Sequence, residues 1–157
     1  DATNAEAVQK IYQLKQRSDS KSMLLLTDSM AKVQAYVTDV PDVVWDLVEC
    51  AEKPLTVIYP QGRNLATNLM AQDGSVGIRI TNELFSKALC EQLRRPIVST
   101  SANISGEPAA KIFADIHPDL LHAVDYVCQY RQQDNTISKP SSIIKVDEKE
   151  RITIIRE

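Results

Sequence analysis

The stretch from residue 76 to residue 99 reads VGIRITNELFSKALCEQLRRPIVS, and it joins a strand pattern, a helix pattern and a second strand pattern. Val76–Ile80 and Ile97–Ser99 are short, largely apolar runs, which favour buried strands. Between them Leu84 and Leu89 share one helical face, and Thr81 is the predicted N-cap. This succession favours an α/β or α+β fold.

The same alternation continues on both sides of this stretch. A Thr3-x-x-Glu6 capping box predicts the first helix, and Asp28 is the predicted cap of the second. The other predicted helices and strands complete one domain, residues 1–157, with a twisted mixed sheet flanked by helices. The predicted helices outside the opening stretch cover about 4–15, 28–36, 41–48 and 115–123, and the further strands cover 23–26, 55–59, 126–130, 142–146 and 152–155.

Composition narrows the function classes. The 157 residues are 43% hydrophobic and 25% charged, which fits one globular domain and excludes a fibrous repeat or a multidomain enzyme. The net charge is -3 and the pI is about 5.4, so any nucleic-acid contact is expected to be local or weak. The longest apolar run, Met23–Leu26, is too short to span a bilayer, and no secretory signal follows Asp1. We therefore expect a cytoplasmic protein without membrane contact.

Cysteine and histidine positions argue against a metal site. Cys50, Cys90 and Cys128 form no C-x-x-C pair, and their odd number predicts reduced, mostly buried thiols. His117 and His122 lie five residues apart, which does not place them on one helical face. No metal ligand set is predicted.

Two polar segments are candidates for binding an anionic ligand. The run from Lys15 to Lys21, with Arg17 between them, places three cations after a helix end, where they either stay solvated or clamp a phosphate or carboxylate. The run Ser99–Gly106 follows a buried strand. Its hydroxyls, amide and backbone N–H groups either bond their own turn or hold phosphate oxygens. With only four glycines, the chain builds no glycine-rich phosphate loop.

Two further positions are weaker candidates. Arg79 lies inside a predicted strand, so it either faces water at a sheet edge or meets an anion. The pair Ser141-Ser142 precedes a strand, and a plain turn is an equally simple interpretation of it.

Together these segments resemble the YrdC/YciO family, and specifically its threonylcarbamoyl-AMP synthase branch. The Ser-Thr-Ser-Ala-Asn-x-Ser-Gly run is specific, and the other matches are weak singly. They occur in the family's order and cover nearly the whole chain. The matching segments are Asp1-Ala2-Thr3-Asn4, Lys15-x-Arg17, Pro54-Leu55-Thr56, Val76-x-Ile78-Arg79-Ile80, Ser99–Gly106 and Pro140-Ser141-Ser142-Ile143.

The resemblance implies a fold, a reaction and a set of site residues. The implied fold is a twisted mixed sheet with a concave, positively charged groove. The implied substrates are L-threonine, bicarbonate or CO2, and ATP with Mg2+. Pyrophosphate is released, and proteins of tRNA threonylcarbamoyladenosine modification act downstream. The implied residues are Lys15 and Arg17 as catalytic; Lys15, Arg17, Ser101 and Asn103 for ATP; and Arg79, Thr100, Ser141 and Ser142 for threonine.

The chain also departs from the family pattern. The family carries an upstream strand and a Thr-Asp-Thr-x-Tyr-Gly-type segment before the Asp1 match, and neither is present in this sequence. Ser18 and Thr81 stand where prolines are common. Since the upstream segment helps to form the threonine pocket, the resemblance implies weakened threonine binding.

Two alternatives remain open at the level of sequence. One is a non-catalytic module that binds double-stranded RNA or tRNA in translation or ribosome assembly, using the family's basic groove together with Arg94-Arg95. Its low pI and few aromatic residues count against it. The other is a YciO-like relative with a different small-molecule role. The joint presence of Lys15-x-Arg17 and Ser101-x-Asn103 favours the synthase.

Overall fold

Strands and helices alternate through most of the chain, as the sequence predicts. The computed structural model describes residues 1–16, 23–137 and 140–157. None of the helices in these ranges is long and apolar enough to cross a membrane. The strands are β1 (Leu24–Thr27), β2 (Leu55–Tyr59), β3 (Val76–Ile80), β4 (Ile97–Ser99), β5 (Ser142–Val146) and β6 (Ile152–Arg156). The helices are α1 (Ala5–Leu14), α2 (Met30–Tyr36), α3 (Asp42–Glu49), α4 (Leu84–Leu93) and α5 (Pro118–Ala123).

The described strands form one mixed sheet in the order β4-β1-β3-β2-β5-β6. The pairs β1/β3 and β2/β5 are parallel, and the other three pairs are antiparallel. This arrangement confirms the predicted α/β class and mixed sheet. In register, Arg79 lies between Leu26 on β1 and Thr56 on β2. Because partners in register point to the same side, these three side chains share one face of the sheet.

The opposite face carries the hydrophobic core. Leu25, Val57 and Ile78 are neighbours in register on that face, and each is almost fully buried. They belong to one cluster with the apolar faces of the first three helices. The helix side chains in this cluster include Val8 and Tyr12 of α1, Val33 of α2 and Val44 of α3. Helix α4 packs on the face of the sheet that bears Arg79. Its Cys90 thiol donates to the Leu26 carbonyl at 3.5 Å.

The N-cap of helix α1 lies one residue later than predicted. Asn4, not Thr3, is the N-cap, and its Oδ1 accepts the N–H groups of Glu6 and Ala7 at 2.9 and 3.1 Å. The Thr3 hydroxyl instead donates to Asp1 Oδ1 at 2.7 Å. The predicted capping box is therefore wrong, because Asp1 engages the threonine hydroxyl that the box requires.

The predicted caps of α2 and α4 are also wrong. Ser29 precedes α2, and the Asp28 carboxylate pairs with Lys32 at 2.7 Å instead. The cap of α4 is Glu83, whose carboxylate accepts the N–H groups at the start of that helix. Thr81 lies two residues upstream, and its hydroxyl bonds the Ser86 hydroxyl at 2.8 Å. In both helices the expected capping group bonds a nearby side chain, four or five residues on, instead of the backbone N–H groups of the first turn.

The segment from residue 110 to residue 137 differs most from prediction. Helix α5 begins at Pro118 rather than near residue 115, and His117 Nδ1 accepts the Asp119 N–H at 3.2 Å. The predicted strand Tyr126–Tyr130 is wrong, since the segment is irregular and Tyr126 is exposed. The apolar run there packs on the surface beside α4, where Tyr130 stacks on Phe85. All three thiols are free, but Cys50 is exposed, so the expectation of mostly buried cysteines fails at that position.

A core substitution tests this packing. Leu25 lies in β1 with 0% exposure, so Leu25→Ala leaves a cavity beneath the helices. We expect it to lower the free energy of unfolding by about 3 kcal/mol. The matched control is Leu84→Ala, since Leu84 is 79% exposed; its effect should stay within about 0.5 kcal/mol. Equal effects in urea titrations of the two variants would contradict the assigned core.

Candidate active site

A cleft of about 980 Å³ lies where β3 ends and β2 begins. Its lining residues come from the ranges 48–55, 79–83, 102–116 and 130–136. Four cations and four carboxylates are among them, so the lining suits a polar substrate that carries both charges. The cations are Lys53, Arg79, Lys111 and Arg131, and the carboxylates are Glu49, Glu52, Glu83 and Asp134.

Arg79 enters this cleft from a strand. Its side chain is half-buried, and burial lowers the pKa of its guanidinium, which still remains charged at neutral pH. Arg79 makes no ion pair with any carboxylate in the described part of the chain. A partly desolvated cation without a carboxylate partner attracts an anionic ligand more strongly than a solvated cation does. This position therefore favours a carboxylate or phosphate in the cleft.

The loop after β4 is pinned to the end of α1 by Lys15. The Lys15 side chain is 4% exposed, and its Nζ donates to the carbonyls of Ser101 at 2.5 Å and Asn103 at 2.6 Å. In return the Ser105 N–H donates to the Lys15 carbonyl at 2.9 Å. Ala102, between the two bonded carbonyls, lines the cleft. Lys15 therefore shapes the loop that forms one wall of the cleft.

Asn103 closes the same loop from within. Its Nδ2 donates to the carbonyls of Ile104 at 2.9 Å and Glu107 at 2.8 Å. Gly106 takes a φ of +94° at the turn, a conformation that other residues adopt only with strain. The Ser101 side chain stays exposed. The loop is thus held by backbone carbonyls and presents a hydroxyl outward, an arrangement that suits binding of phosphate oxygens.

The structure brings together part of the set predicted from sequence. Lys15, Ser101 and Asn103 meet in one loop contact but do not themselves line the cleft. Arg79 lines it, and so does Ala102 of that loop. Arg17 lies outside the described residues. The roles predicted for these residues in ATP and threonine binding stay predictions.

Three residues predicted for threonine binding are placed elsewhere. Thr100 is exposed and does not line the cleft. Ser141 is buried, and its hydroxyl bonds Thr56 Oγ1 at 2.9 Å. Ser142 begins β5, where its N–H donates to the Pro54 carbonyl at 3.0 Å. The two serines tie β5 to β2 rather than face the cleft.

Sequence reasoning missed several residues of the cleft. Lys53 and Lys111 stand in segments without a motif, and Tyr130 lies in the run that was predicted to be a strand. No sequence signal marked Tyr130 as a cleft residue, since aromatic residues favour strands and the run Tyr126–Tyr130 has strand composition. In the described ranges no three His, Cys, Asp or Glu side chains are grouped closely enough to hold a metal ion.

The fold and the cleft together indicate the class of protein. It is an α/β domain whose mixed sheet positions a small-molecule cleft at its strand ends. The chain belongs to the Sua5/YciO/YrdC family, since that family's model, described as "Telomere recombination", matches residues 1–157. It is 30% identical over 146 residues to the threonylcarbamoyl-AMP synthase of Pseudoalteromonas translucida. That match covers 91% of this chain and 77% of the relative.

Solved structures share the fold. A double variant of P. abyssi Sua5 superposes with a TM-score of 0.86 at 21% identity, covering 99% of this chain and 47% of that chain. P. abyssi Sua5 complexed with L-threonine gives a TM-score of 0.80 at 20% identity, covering 92% of this chain and 42% of that chain. This chain therefore spans less than half of the length of those two chains.

Proposed function

We propose that this chain is a threonylcarbamoyl-AMP synthase domain, a transferase of the nucleotidyltransferase type. Its substrates are L-threonine, bicarbonate or CO2, and ATP bound to Mg2+. One observation carries the proposal: the cleft joins the half-buried Arg79 cation to the loop that Lys15 pins through Ser101 and Asn103. The names of the curated relatives and the family match over the whole chain support it.

The proposed reaction has two bond-forming steps. The threonine nitrogen bonds to the carbon of bicarbonate with loss of water, which gives a carbamate. A carbamate oxygen then bonds to the α-phosphorus of ATP, the bond from that phosphorus to the β-phosphate oxygen breaks, and pyrophosphate leaves. Such chemistry depends mainly on positioning the reactants and on stabilising the phosphate charge.

The cleft supplies cations and hydroxyls for these tasks. Arg79 binds the threonine carboxylate, because its planar fork matches two carboxylate oxygens. Thr100, Ser141 and Ser142 do not line the cleft, so the proposal assigns the carboxylate to Arg79 alone. The exposed Ser101 hydroxyl binds ATP together with Arg17. Asn103 supports this site by holding the loop, because its Nδ2 donates to the carbonyls of Ile104 and Glu107. Lys15 acts by shaping the loop, and its two carbonyl contacts support that role.

The product of the proposed reaction is the donor for a later modification of tRNA. The threonylcarbamoyl adenylate is a mixed anhydride, so an acceptor amine displaces AMP from it readily. We assign that acceptor to an adenosine of tRNA, modified by other proteins that act after this one. The acidic pI favours a function on small molecules over a function that consists mainly of RNA binding.

Pyrophosphate release tests the proposal directly. With ATP and Mg2+, release should require both threonine and bicarbonate, and omission of either should return it to background. Serine and valine serve as matched amino-acid controls, since each retains part of the threonine side chain. Release that is independent of the amino acid would contradict the proposed function.

Arg17→Ala is expected to weaken ATP use without unfolding the chain. The loss of a charge-assisted contact to phosphate costs roughly 1.5–3 kcal/mol, or about tenfold to 100-fold in the KM for ATP. Arg17 stands in a polar stretch of the sequence, and substitutions in such stretches usually shift stability by only about 0.5 kcal/mol. Steady-state kinetics and thermal unfolding of the same preparation measure both effects. A large fall in Tm with unchanged KM would overturn the phosphate role.

A further inference from the structure

Aromatic side chains concentrate at one end of the cleft. The chain has only two Phe, one Trp and five Tyr, yet Phe113 and Tyr130 both line the cleft. Phe85, at the start of α4, stacks on Tyr130 with ring centroids 5.0 Å apart and an angle of 16° between the rings. The wall of the cleft therefore contains one ring of a stacked aromatic pair.

The Tyr130 ring is held in place from three directions. Phe85 covers one of its faces, and the Tyr130 N–H donates to the Cys128 thiol at 3.5 Å. The nearby Glu83 carboxylate raises the pKa of the Tyr130 hydroxyl. Glu83 is itself fixed, because it accepts the N–H groups of Phe85 and Ser86 at 3.2 and 2.8 Å. The ring is thus preorganised by the start of α4.

Tyr130 nevertheless remains open to the cleft. It is 46% exposed, although its ring is backed by Phe85. A fixed aromatic ring with one covered and one open face is a stacking platform for a planar group. Of the proposed substrates, only the nucleotide carries a planar aromatic group.

We infer that the adenine base of ATP stacks on the open face of Tyr130, with the triphosphate directed toward the loop at Ser101–Asn103. The inference rests on the proposed function and extends it, since it divides the cleft between a base end and a phosphate end. Both ends line the same cavity, because Ala102 and Tyr130 are lining residues of one cleft. Phe85 then acts as a positioning residue that keeps the platform ring in place.

The test separates the base from the phosphates. Calorimetry compares ATP with inorganic triphosphate as probes, for the wild-type chain, Tyr130→Ala and Tyr130→Phe. We expect Tyr130→Ala to weaken ATP binding about tenfold, the scale of one lost base–aromatic stack, and to change triphosphate binding less than twofold. Tyr130→Phe keeps the ring and should stay within about threefold of wild type for both probes.

Phe85→Leu tests whether Phe85 holds the Tyr130 ring in position. It leaves Tyr130 in the chain but removes the stacked ring behind it, so ATP affinity should fall by less than in Tyr130→Ala. Triphosphate affinity should be unchanged. Thermal unfolding of each variant identifies any that have lost the fold, and Tyr130→Phe keeps the comparison informative if Tyr130→Ala is unstable.

Several outcomes would contradict the stacking of adenine on Tyr130. Equal ATP affinity in wild type and Tyr130→Ala would do so, as would a matching loss of ATP and triphosphate binding in a folded Tyr130→Ala. If wild type releases pyrophosphate with threonine and bicarbonate while the KM for ATP is unchanged in Tyr130→Ala, the proposed function stands and the platform is wrong. If wild type binds no ATP, both fail.

Discussion

Replacing Arg79 with alanine is expected to lower kcat/KM for threonine by about 100-fold while leaving Tm nearly unchanged. A bidentate guanidinium–carboxylate contact contributes roughly 3 kcal/mol, which corresponds to about two powers of ten. The fold should tolerate the change, because burial disfavours the Arg79 cation and no carboxylate in the described ranges pairs with it. Initial-rate kinetics with threonine varied, alongside thermal unfolding, measure both quantities.

Arg79→Lys is the matched control for charge. It keeps the cation but loses the planar fork, so it should recover only part of the lost activity. An Arg79→Ala variant with unchanged kcat/KM for threonine would remove Arg79 from the substrate site. A variant that loses its fold would instead show that Arg79 supports the sheet.

Replacing Lys15 with methionine is expected to reduce kcat by about 100-fold and the free energy of unfolding by about 2 kcal/mol. The change removes two charged hydrogen bonds and leaves the partly buried carbonyls of Ser101 and Asn103 without their donor. The loop at residues 99–106 then loses its fixed shape. Steady-state kinetics and urea titration measure the two effects. The matched control is Lys10→Met on the exposed side of α1, which should change neither quantity appreciably.

Proteolysis without ATP separates a loop-shaping Lys15 from one that only contacts phosphate. If Lys15 shapes the loop, Lys15→Met should be cut faster within residues 99–106 even when no nucleotide is present. Unchanged protection in the absence of ATP, together with a raised KM for ATP, would assign Lys15 to phosphate contact alone. Lys15→Arg tests whether a larger cation fits the same pair of carbonyls.

Most of the sheet could be predicted because its strands are short apolar runs bounded by turn residues. Leu55–Tyr59 and Val76–Ile80 are strands in the structure with the predicted bounds. The predicted helix caps failed because Asp28 and Thr81 bond local side chains, Lys32 four residues on and Ser86 five residues on, instead of backbone N–H groups. The run Tyr126–Tyr130 has strand composition, but stacking on Phe85 holds it at the surface instead.

The candidate site was predictable only where polar residues interrupt an apolar pattern. Arg79 within a strand and the Ser99–Gly106 loop after a strand have this character, and both contribute to the cleft. The pinning of Ser101 by Lys15 joins residues 86 positions apart, so it depends on tertiary structure. Tyr130 was missed for the same reason, because its exposure depends on the packing of α4.

If this cleft joins threonine, bicarbonate and ATP into one adenylate, mass spectrometry of a reaction mixture with carbon-13-labelled bicarbonate, MgATP and threonine detects the product directly. The expected product is a threonylcarbamoyl adenylate that carries the label in its carbamate carbon. It should form in parallel with pyrophosphate and be lost in Arg79→Ala. Pyrophosphate without a labelled adenylate, or no product from a folded chain that binds ATP and threonine, would contradict it.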